Sequence, residues 1–327
     1  MNILEIRDLQ VSYETEHGLI NIVNGVSICC ARGEKIALVG ESGCGKTQTV
    51  RAILQILPQA TVRYPAGEIF FDGVDLLHAD QQQLQHARQH GIAMIYQEPS
   101  AVLNPFFTVG RQIMDVVRYS ADSRLSKAER KQKALEVIAA VKIPDPARIF
   151  GYYPHQLSGG MRQRICIAMA LATHRDLLIA DEPGTALDVT IQNQVNRLMA
   201  DLVQERNMAM ILVTHSLAVA REMTDRIYVM YGGTVVETAP TAALFESQLH
   251  PYTKGLLASI PKLTREGVAD GIPGHVPDYR DMPAGCRFSS RCPYATDQCR
   301  AQKPALREVR PNHFAACFHL EEVTDLG

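Results

Sequence analysis

The sequence predicts an α/β fold with a mixed sheet core, a helical subdomain and a Cys-rich C-terminal extension. Three observations lead to this prediction. Continuous apolar runs alternate with helical patterns, as in a sheet covered by helices on both faces. The first of these runs leads directly into a Gly-rich loop. Four of the eight cysteines crowd near the C-terminus, where prolines also become frequent.

Length and composition indicate a folded chain of more than one unit. The 327 residues exceed the usual size of one domain, and 46% hydrophobic with 21% charged residues is ordinary for globular proteins. With 33 Lys and Arg against 35 Asp and Glu, the basic excess of a nucleic-acid-binding protein is missing, so no nucleic-acid partner is expected. We also expect no membrane span, because no apolar run approaches about 18 residues. We expect no secretory signal, because the start MNILEIRDLQ lacks the charged-then-apolar pattern of one.

Three apolar runs predict buried strands. The first, KIALVG at 35–40, ends at the glycines of a loop; the others are DLLIAD at 176–181 and MAMILVTH at 208–215. Between the last two, apolar residues recur at the i, i+3, i+4, i+7 spacing of one helix face: Val195, Leu198, Met199 and Leu202. Strand, helix and strand in this order predict a right-handed crossover between parallel strands.

Residues 98–172 have the pattern of a helical subdomain. Ser126 and Glu129 form a capping box, which predicts the start of a surface helix. An amphipathic spacing follows it: Leu135, Ile138, Ala139 and Lys142. Beyond residue 237 prolines become frequent and strand signals fade, so we place a domain boundary near residue 238 and expect little regular structure in 238–327.

Residues 40–47, GESGCGKT, match the phosphate-binding pattern G-x-x-x-x-G-K-[ST], and they lie between a predicted strand and a helix-compatible run. Backbone N–H groups of such a P-loop surround the phosphates of a nucleotide, and the N-terminus of the following helix adds partial positive charge. We expect Lys46 to contact the phosphates and Thr47 to ligate Mg²⁺. The predicted nucleotide-binding residues are Gly40, Glu41, Ser42, Gly43, Cys44, Gly45, Lys46 and Thr47.

An acidic pair ends the second predicted strand. Asp181 closes the run LLIAD and is suited to hold Mg²⁺, and Glu182 follows it directly. At the C-terminal edge of a parallel strand, Glu182 is placed to polarise water for attack on the γ-phosphate. A merely solvated acidic pair is the alternative.

The segment 157–164, LSGGMRQR, opens a predicted helix with N–H donors and a hydroxyl suited to an anion. It resembles the LSGGQ signature of ABC-type ATPases. The resemblance implies a P-loop NTPase head of ABC type, in which this segment completes the ATP site of a facing subunit. The residues implied in that contact are Ser158, Gly159, Gly160 and Gln163.

Single residues extend the resemblance along the chain. Gln97, after AMIY, resembles the Q-loop residue, which implies Mg²⁺ ligation and a catalytic contact, and residues 186–188 resemble the D-loop. His215 resembles the switch histidine at the γ-phosphate; a core histidine is the alternative. Tyr13 lies upstream of the P-loop, at a distance along the chain suited to the aromatic that stacks on adenine. The alternative is that Tyr13 is a packing residue of an opening strand.

Two positions depart from the family pattern. Gly184 stands where Thr is common, and Ser216 stands where Asp is common. Since neither departure removes a catalytic group, we expect hydrolysis to be retained, with an altered rate or dimer stability.

The C-terminal region narrows the resemblance. HPYT at 250–253, the apolar run GLLASIP and the segment GCRFSSRCPYATDQC are similar to the extension of bacterial dipeptide and oligopeptide ABC importers, a group that includes nickel and metallophore systems. The resemblance implies an ATP-binding subunit at the cytoplasmic face of the inner membrane. Its implied partners are two permease subunits, a second, paralogous ATPase and an extracytoplasmic substrate-binding protein. A soluble ABC-type ATPase of DNA repair or maintenance is the alternative from another class.

The cysteines fall into two sets. Cys29, Cys30, Cys44 and Cys166 are expected to be small buried hydrophobes in a reducing compartment. Cys286, Cys292, Cys299 and Cys317 lack the paired C-x-x-C spacing of most structural zinc sites. Four thiolates also suit a [4Fe–4S] cluster, which the family resemblance implies for some members. A zinc site and free or oxidised thiols are the alternatives for these four cysteines.

Overall fold

The computed structural model describes residues 1–16, 18–119, 125–185, 187–260 and 271–320. Its strands are β1 (Asn2–Thr15), β2 (Gly18–Ala31), β3 (Lys35–Val39), β4 (Val62–Arg63), β5 (Glu68–Phe71), β6 (Val74–Asp75), β7 (Ile92–Ile95), β8 (Leu177–Asp181), β9 (Ala209–Thr214), β10 (Arg226–Tyr231), β11 (Thr234–Pro240), β12 (Arg307–Arg310) and β13 (His313–Ala315). Its helices are α1 (Lys46–Ile53), α2 (Gln81–His86), α3 (Pro99–Val102), α4 (Val109–Tyr119), α5 (Lys127–Ala140), α6 (Pro146–Phe150), α7 (Gly159–Ala170), α8 (Val189–Glu205), α9 (Leu217–Met223), α10 (Thr241–Glu246), α11 (Pro251–Ala258) and α12 (Asp297–Ala301).

The chain divides into two compact units. The first unit contains Met1–Ile3, Cys30–Glu34 and His78–Leu212, and the second contains Leu4–Cys29, Lys35–Leu77 and Val213–Gly327. Within the described residues, no helix is long and apolar enough to cross a membrane.

The first unit contains the predicted strand–helix–strand segment. β7 and β8 pair in parallel, and β9 is the next strand beside β8. Every residue of β8 and β9 is buried, which confirms that these runs are strands covered on both faces. α8 connects them and buries all four residues of its predicted apolar face. The hand of the crossover stays a prediction.

Between Pro99 and Ala170 all the described elements are helical, α3 to α7 with one short 3₁₀ turn. The capping box is confirmed, because Ser126 Oγ accepts the Glu129 N–H and the Glu129 side chain accepts the Ser126 N–H. The structure confirms the predicted surface helix as α5, and of the four residues in the quoted spacing only Ile138 is buried. Ala139 is exposed, Leu135 is only half-buried and Lys142 lies beyond the helix. The buried stripe falls on the neighbouring i, i+3, i+4, i+7 set: Ala134, Val137, Ile138 and Val141.

The second unit contains an antiparallel sheet and part of a mixed one. The antiparallel sheet has the order β2-β1-β5-β6, with β4 also paired to β1. The mixed sheet runs β12-β13-β11-β10-β3 within this unit, with β10 parallel to β3 and antiparallel to β11. A bulge between Val229 and Met230 shifts the register of β10 against β11.

The C-terminal extension is more regular than the sequence predicts. β12 and β13 pair with each other, and β13 adds to β11, so strand structure continues past residue 238. Short strands broken by prolines carry little periodic signal, which explains the missed elements. Tyr252 and Phe288 of the extension pack into the same apolar cluster as Val39 and Val229. The proposed boundary near residue 238 falls inside β11 and stays a prediction.

Candidate functional site

The P-loop begins at the end of β3 and leads into α1. Gly40 has a φ of 155°, and a Cβ there would lie 2.2 Å from the carbonyl oxygen of Met230. Gly45 caps α1 with a φ of 99° in the left-handed region. Both positions therefore need glycine, because a side chain would clash or strain the backbone. The loop lies between a buried strand and a helix N-terminus, as the sequence predicts.

The side chain of Lys46 lies inside this loop. It is 4% exposed, and its Nζ donates to the carbonyl oxygens of Gly40 at 2.8 Å and Glu41 at 2.9 Å. The Cys44 thiol is buried, and burial raises its pKa, so it packs as a neutral group. Ser42 and Gly43 are exposed, and Thr47 is half-buried in the first turn of α1.

Tyr13 lies on β1, half-buried. Its hydroxyl donates to Oε1 of Gln48 on α1 at 2.6 Å, and burial raises its pKa. This contact ties β1 to the helix that follows the P-loop. The predicted stacking of Tyr13 on adenine stays a prediction.

A second polar group lies in the first unit, at the end of β8. Asp181 is fully buried, and Glu182 has a φ of 47°, a left-handed conformation that a non-Gly residue rarely adopts. Gln97 Nε2 donates to Glu182 Oε2 at 3.3 Å, and Thr185 Oγ1 donates to the same oxygen at 3.1 Å. The structure thus brings together the predicted residues Gln97 and Glu182. Thr185 was missed, because a Thr four residues after Asp181 carries no signal of its own.

Gly184 faces α8. A Cβ at this position would lie 2.7 Å from Cγ of Gln192, so a side chain here needs a shift of Gln192. The departure from Thr therefore has a local packing reason. Ala186 of the predicted D-loop lies outside the described residues, and Asp188 caps α8 by accepting the Ile191 N–H at 2.9 Å.

The signature segment forms the start of α7. Ser158 is the N-cap, and its Oγ accepts the Met161 N–H at 3.3 Å. Gly159 and Gly160 form the first turn. Gln163 does not fit its predicted contact with a nucleotide: it is 1% exposed, and its Nε2 has no hydrogen-bond partner among the described residues. The helix turns this side chain inward, because position 163 lies on the buried face with Ile167.

His215 follows β9 directly and is exposed. The next residue, Ser216, caps α9, with its Oγ accepting the Val219 N–H at 3.3 Å. Serine here performs the capping that an Asp would also perform, but without the negative charge.

Comparison with known proteins relates this geometry to a family. Residues 23–185 match the family model described as ABC transporter, and residues 236–299 match the one described as Oligopeptide/dipeptide transporter, C-terminal region. The chain is 44% identical to the probable peptide ABC transporter ATP-binding protein y4tR of Sinorhizobium fredii, over 99% of this chain and 97% of the relative. The chain belongs to the ATP-binding subunits of peptide ABC importers.

Two other relatives are similar to this importer subunit over nearly its full length. The dipeptide transport ATP-binding protein DppD of Escherichia coli is 42% identical over 98% of this chain and 97% of the relative. The oligopeptide transport ATP-binding protein OppD of Bacillus subtilis is 42% identical over 97% of this chain and 89% of the relative.

Solved structures share the fold of this importer subunit. The ATP-binding cassette MJ0796, a dimer in a post-hydrolysis state bound to ADP and Pi, matches with a TM-score of 0.65 at 26% identity, covering 73% of this chain and 98% of that one. For cbiO1 from Clostridium perfringens, at a TM-score of 0.63 and 22% identity over 76% of this chain and 92% of that one, the likeness shows the fold alone. The subunit is an ABC transporter ATPase, and the predicted α/β P-loop NTPase fold with a mixed sheet is confirmed.

The four C-terminal cysteines of this importer subunit influence one another. Burial, with a smaller contribution from the neighbouring cysteine sulfurs, raises the pKa of Cys286 and of Cys292 to about 11. Burial also raises the pKa of Cys317, with a contribution from Cys299. Within the described part of the chain, however, no group of three or more His, Cys, Asp or Glu side chains is arranged to hold a metal ion.

The importer subunit also has P-loop contacts that sequence reasoning missed. Tyr252, Tyr279 and Arg291 of the extension reach the loop. The HPYT motif drew attention to Tyr252 as a family feature only, and nothing in the sequence pattern marks Tyr279 or Arg291.

Proposed function

We propose that this subunit hydrolyses ATP to power the import of di- and oligopeptides through a separate membrane permease. The observation that carries this proposal is the match of residues 236–299 to the C-terminal region of oligopeptide and dipeptide transporters. The printed functions of the relatives from Escherichia coli and Bacillus subtilis, dipeptide and oligopeptide transport, support the same substrate class.

In this proposal the P-loop binds the phosphates of ATP. The Lys46 ammonium group, already inside the loop, neutralises phosphate charge, and the N-terminus of α1 adds partial positive charge. Carboxylate, hydroxyl and amide oxygens are hard ligands that suit Mg²⁺, so the donor set Thr47, Gln97 and Asp181 fits that ion. When bound, Mg²⁺ offsets the negative charge of the phosphates.

Glu182 is the proposed general base. Its carboxylate polarises the water that attacks the γ-phosphate, while the Gln97 amide and the Thr185 hydroxyl hold one carboxylate oxygen in place. Fixing that oxygen leaves the other oxygen oriented to accept the proton from water. His215, exposed after β9, contacts the γ-phosphate in this proposal.

Transport requires partners that the chain does not contain. We propose that Ser158, Gly159 and Gly160 complete the ATP site of a facing ATPase subunit, with a paralogous chain as partner. Closure of the two subunits on ATP then switches two membrane permease subunits between their inward- and outward-open forms. An extracytoplasmic binding protein delivers the peptide, and this subunit lies at the cytoplasmic face of the inner membrane.

For the four C-terminal cysteines we propose a [4Fe–4S] cluster. The donor chemistry fits, since buried thiols that raise one another's pKa need a cationic group to become thiolates. The four cysteines lack the paired C-x-x-C spacing of most structural zinc sites, which disfavours zinc. The cluster, when bound, cross-links a region of short elements.

Anaerobic purification tests the cluster. We expect about four iron and about four sulfide per chain, and loss of both in the Cys292→Ser variant. The Cys166→Ser variant is the control, because that thiol lies on α7 of the first unit and is not one of the four proposed ligands. Zinc at one equivalent, or metal-free protein after anaerobic isolation, contradicts the cluster.

Uptake in cells that lack the native gene tests the transport function. We expect wild type and the control Glu205→Gln, an exposed position on α8, to restore uptake of labelled dipeptide, and Glu182→Gln not to restore it. Restoration of nickel uptake alone contradicts the peptide assignment. An absent defect for both substrates contradicts transport and points to a non-transport ATPase.

A further inference from the structure

Three side chains of the C-terminal extension hold the P-loop. Each lies more than 200 positions along the chain from its partner in the loop. Tyr252 and Arg291 contact Glu41, 211 and 250 positions away, and Tyr279 contacts Gly43, 236 positions away. We propose that they are positioning residues of the ATP site, which set the P-loop conformation presented to the phosphates of ATP. The proposal rests on the phosphate-binding role of the P-loop given above.

Tyr252 orients the peptide unit between Gly40 and Glu41. The Gly40 carbonyl oxygen accepts from Lys46 Nζ at 2.8 Å, and the Glu41 N–H donates to the Tyr252 hydroxyl at 2.9 Å. In a trans peptide C=O and N–H point to opposite sides, so the tyrosine outside the loop directs the carbonyl towards the lysine inside. Tyr252 is fully buried, and its ring packs edge-on against Tyr231 with 4.7 Å between centroids.

Tyr279 orients the peptide unit between Gly43 and Cys44 in the same way. Its hydroxyl donates to the Gly43 carbonyl oxygen at 2.8 Å, while the Cys44 N–H points back to the Glu41 carbonyl oxygen at 3.3 Å. Burial raises the pKa of Tyr279, so the hydroxyl stays protonated and able to donate. Two peptide units of the P-loop, 40–41 and 43–44, are therefore fixed from outside by the extension.

Arg291 holds the side chain of Glu41, which lies between these two peptide units in the sequence. Its Nη1 and Nη2 donate to the two carboxylate oxygens of Glu41 at 2.7 and 3.1 Å, and the arginine side chain is only 4% exposed. The same guanidinium donates to the carbonyl oxygens of Ile272 at 3.0 Å and Pro273 at 2.9 Å. A two-pronged pair of this kind, with the arginine buried and Glu41 partly exposed, fixes direction as well as distance, so it joins the loop to the extension backbone.

These contacts act on nucleotide affinity. A loop that is held in its binding conformation loses less freedom when the phosphates arrive. Removing a contact should therefore weaken binding without changing the chemical step. ATP and ADP should be affected equally, because both have the β-phosphate that a P-loop surrounds.

Isothermal titration of the full chain with Mg-ATP and Mg-ADP tests the proposal. We expect Arg291→Ala to raise Kd for both nucleotides about tenfold and Tyr279→Phe about threefold. Arg291→Lys should recover only part of the loss, since an ammonium cannot bind both oxygens in the fork geometry. The matched control is Arg280→Ala, which removes an exposed arginine of the same extension that pairs with Asp278; its Kd should equal that of wild type.

The assembled importer supplies the second readout. Arg291→Ala should raise KM for ATP with kcat within about twofold of wild type, which a general loss of structure would not do. If Arg291→Ala fails to fold, Tyr279→Phe decides, because it removes one oxygen atom. A wild-type Kd in Tyr279→Phe overturns the proposal. So does a lowered kcat at unchanged KM for ATP in Arg291→Ala. Lys46→Ala distinguishes the positioning role of the extension from the phosphate-binding role of the P-loop. If Lys46→Ala also binds ATP with the wild-type Kd, it is the phosphate-binding role of the P-loop that is wrong.

Discussion

At the scale of single residues, the carboxylate of Glu182 stands out because its backbone is strained and its side chain is held. The left-handed φ of 47° persists only where the surroundings enforce it, and Gln97 and Thr185 both donate to the same carboxylate oxygen. Strain and two donors at one acid indicate that its orientation matters. The position of the Glu182 oxygen, and not only its charge, therefore sets the rate in the proposed mechanism.

Thr185→Val tests this dependence on orientation. Valine has nearly the shape of threonine but lacks the hydroxyl that donates to Glu182 Oε2. A hydrogen bond to a charged group contributes about 2 kcal/mol, so we expect kcat of the assembled importer to fall at least about tenfold with KM for ATP unchanged. The control is Thr190→Val, an exposed position on α8. An unchanged kcat in Thr185→Val removes Thr185 from the mechanism.

At the scale of elements, two helices of the first unit offer a matched pair of caps. Ser126 at α5 and Ser158 at α7 each accept an N–H with Oγ at 3.3 Å. Replacing either by Ala should lower the free energy of unfolding by about 1 kcal/mol, measured by chemical denaturation. Only Ser158→Ala should also reduce ATP hydrolysis in the assembled importer. Equal hydrolysis in the two variants would restrict Ser158 to capping.

The cap of α11 predicts a pH dependence. The buried His250 accepts the Tyr252 N–H at Nδ1, 3.1 Å away, and burial lowers its pKa to about 4, although Glu237 acts in the opposite direction. The unfolded chain thus binds the proton more readily, and stability should fall as pH decreases from about 6.5 to about 4, by roughly 3 kcal/mol. Denaturation at several pH values measures the slope. His250→Asn keeps a capping acceptor and should lose this slope, whereas the exposed His174→Gln should retain it.

The elements that the sequence predicts are those whose signal is contiguous. The P-loop, β8, β9, α8 and the capping box each occupy one short segment, so their patterns are readable. The spacing of Leu135, Ile138 and Ala139 predicts a helix but not its buried face, because neighbouring stripes of α5 are both partly apolar. The pair of Glu41 and Arg291 is separated by 250 positions, and only the folded chain brings the two together. Tertiary contacts of this kind leave no local periodicity.

At the scale of the whole molecule, the extension is joined to the part of the chain that carries the P-loop. Besides the contacts to the P-loop, one link is Glu237 on β11, whose carboxylate is fully buried. It accepts the N–H groups of Leu249 at 2.8 Å and His250 at 2.9 Å, and it lies 2.7 Å from Nε2 of His313 on β13. One acid thus connects the strand at the proposed boundary, the start of α11 and the last strand. From these contacts we expect the segments on the two sides of residue 238 to unfold together.

Glu237→Ala tests whether the extension folds with the rest of its unit. Removing the acid leaves buried N–H groups and His313 without their acceptor, which should cost about 3–5 kcal/mol and lower the midpoint of thermal unfolding. Nucleotide binding and proteolytic resistance of the extension should be lost together, because both depend on one core. Glu246→Ala, an exposed position on α10, is the control and should unfold as wild type does. A different result would contradict this expectation: the extension becomes protease-sensitive, but nucleotide binding persists up to the wild-type midpoint of thermal unfolding. The extension would then be a separate domain with its boundary near residue 238.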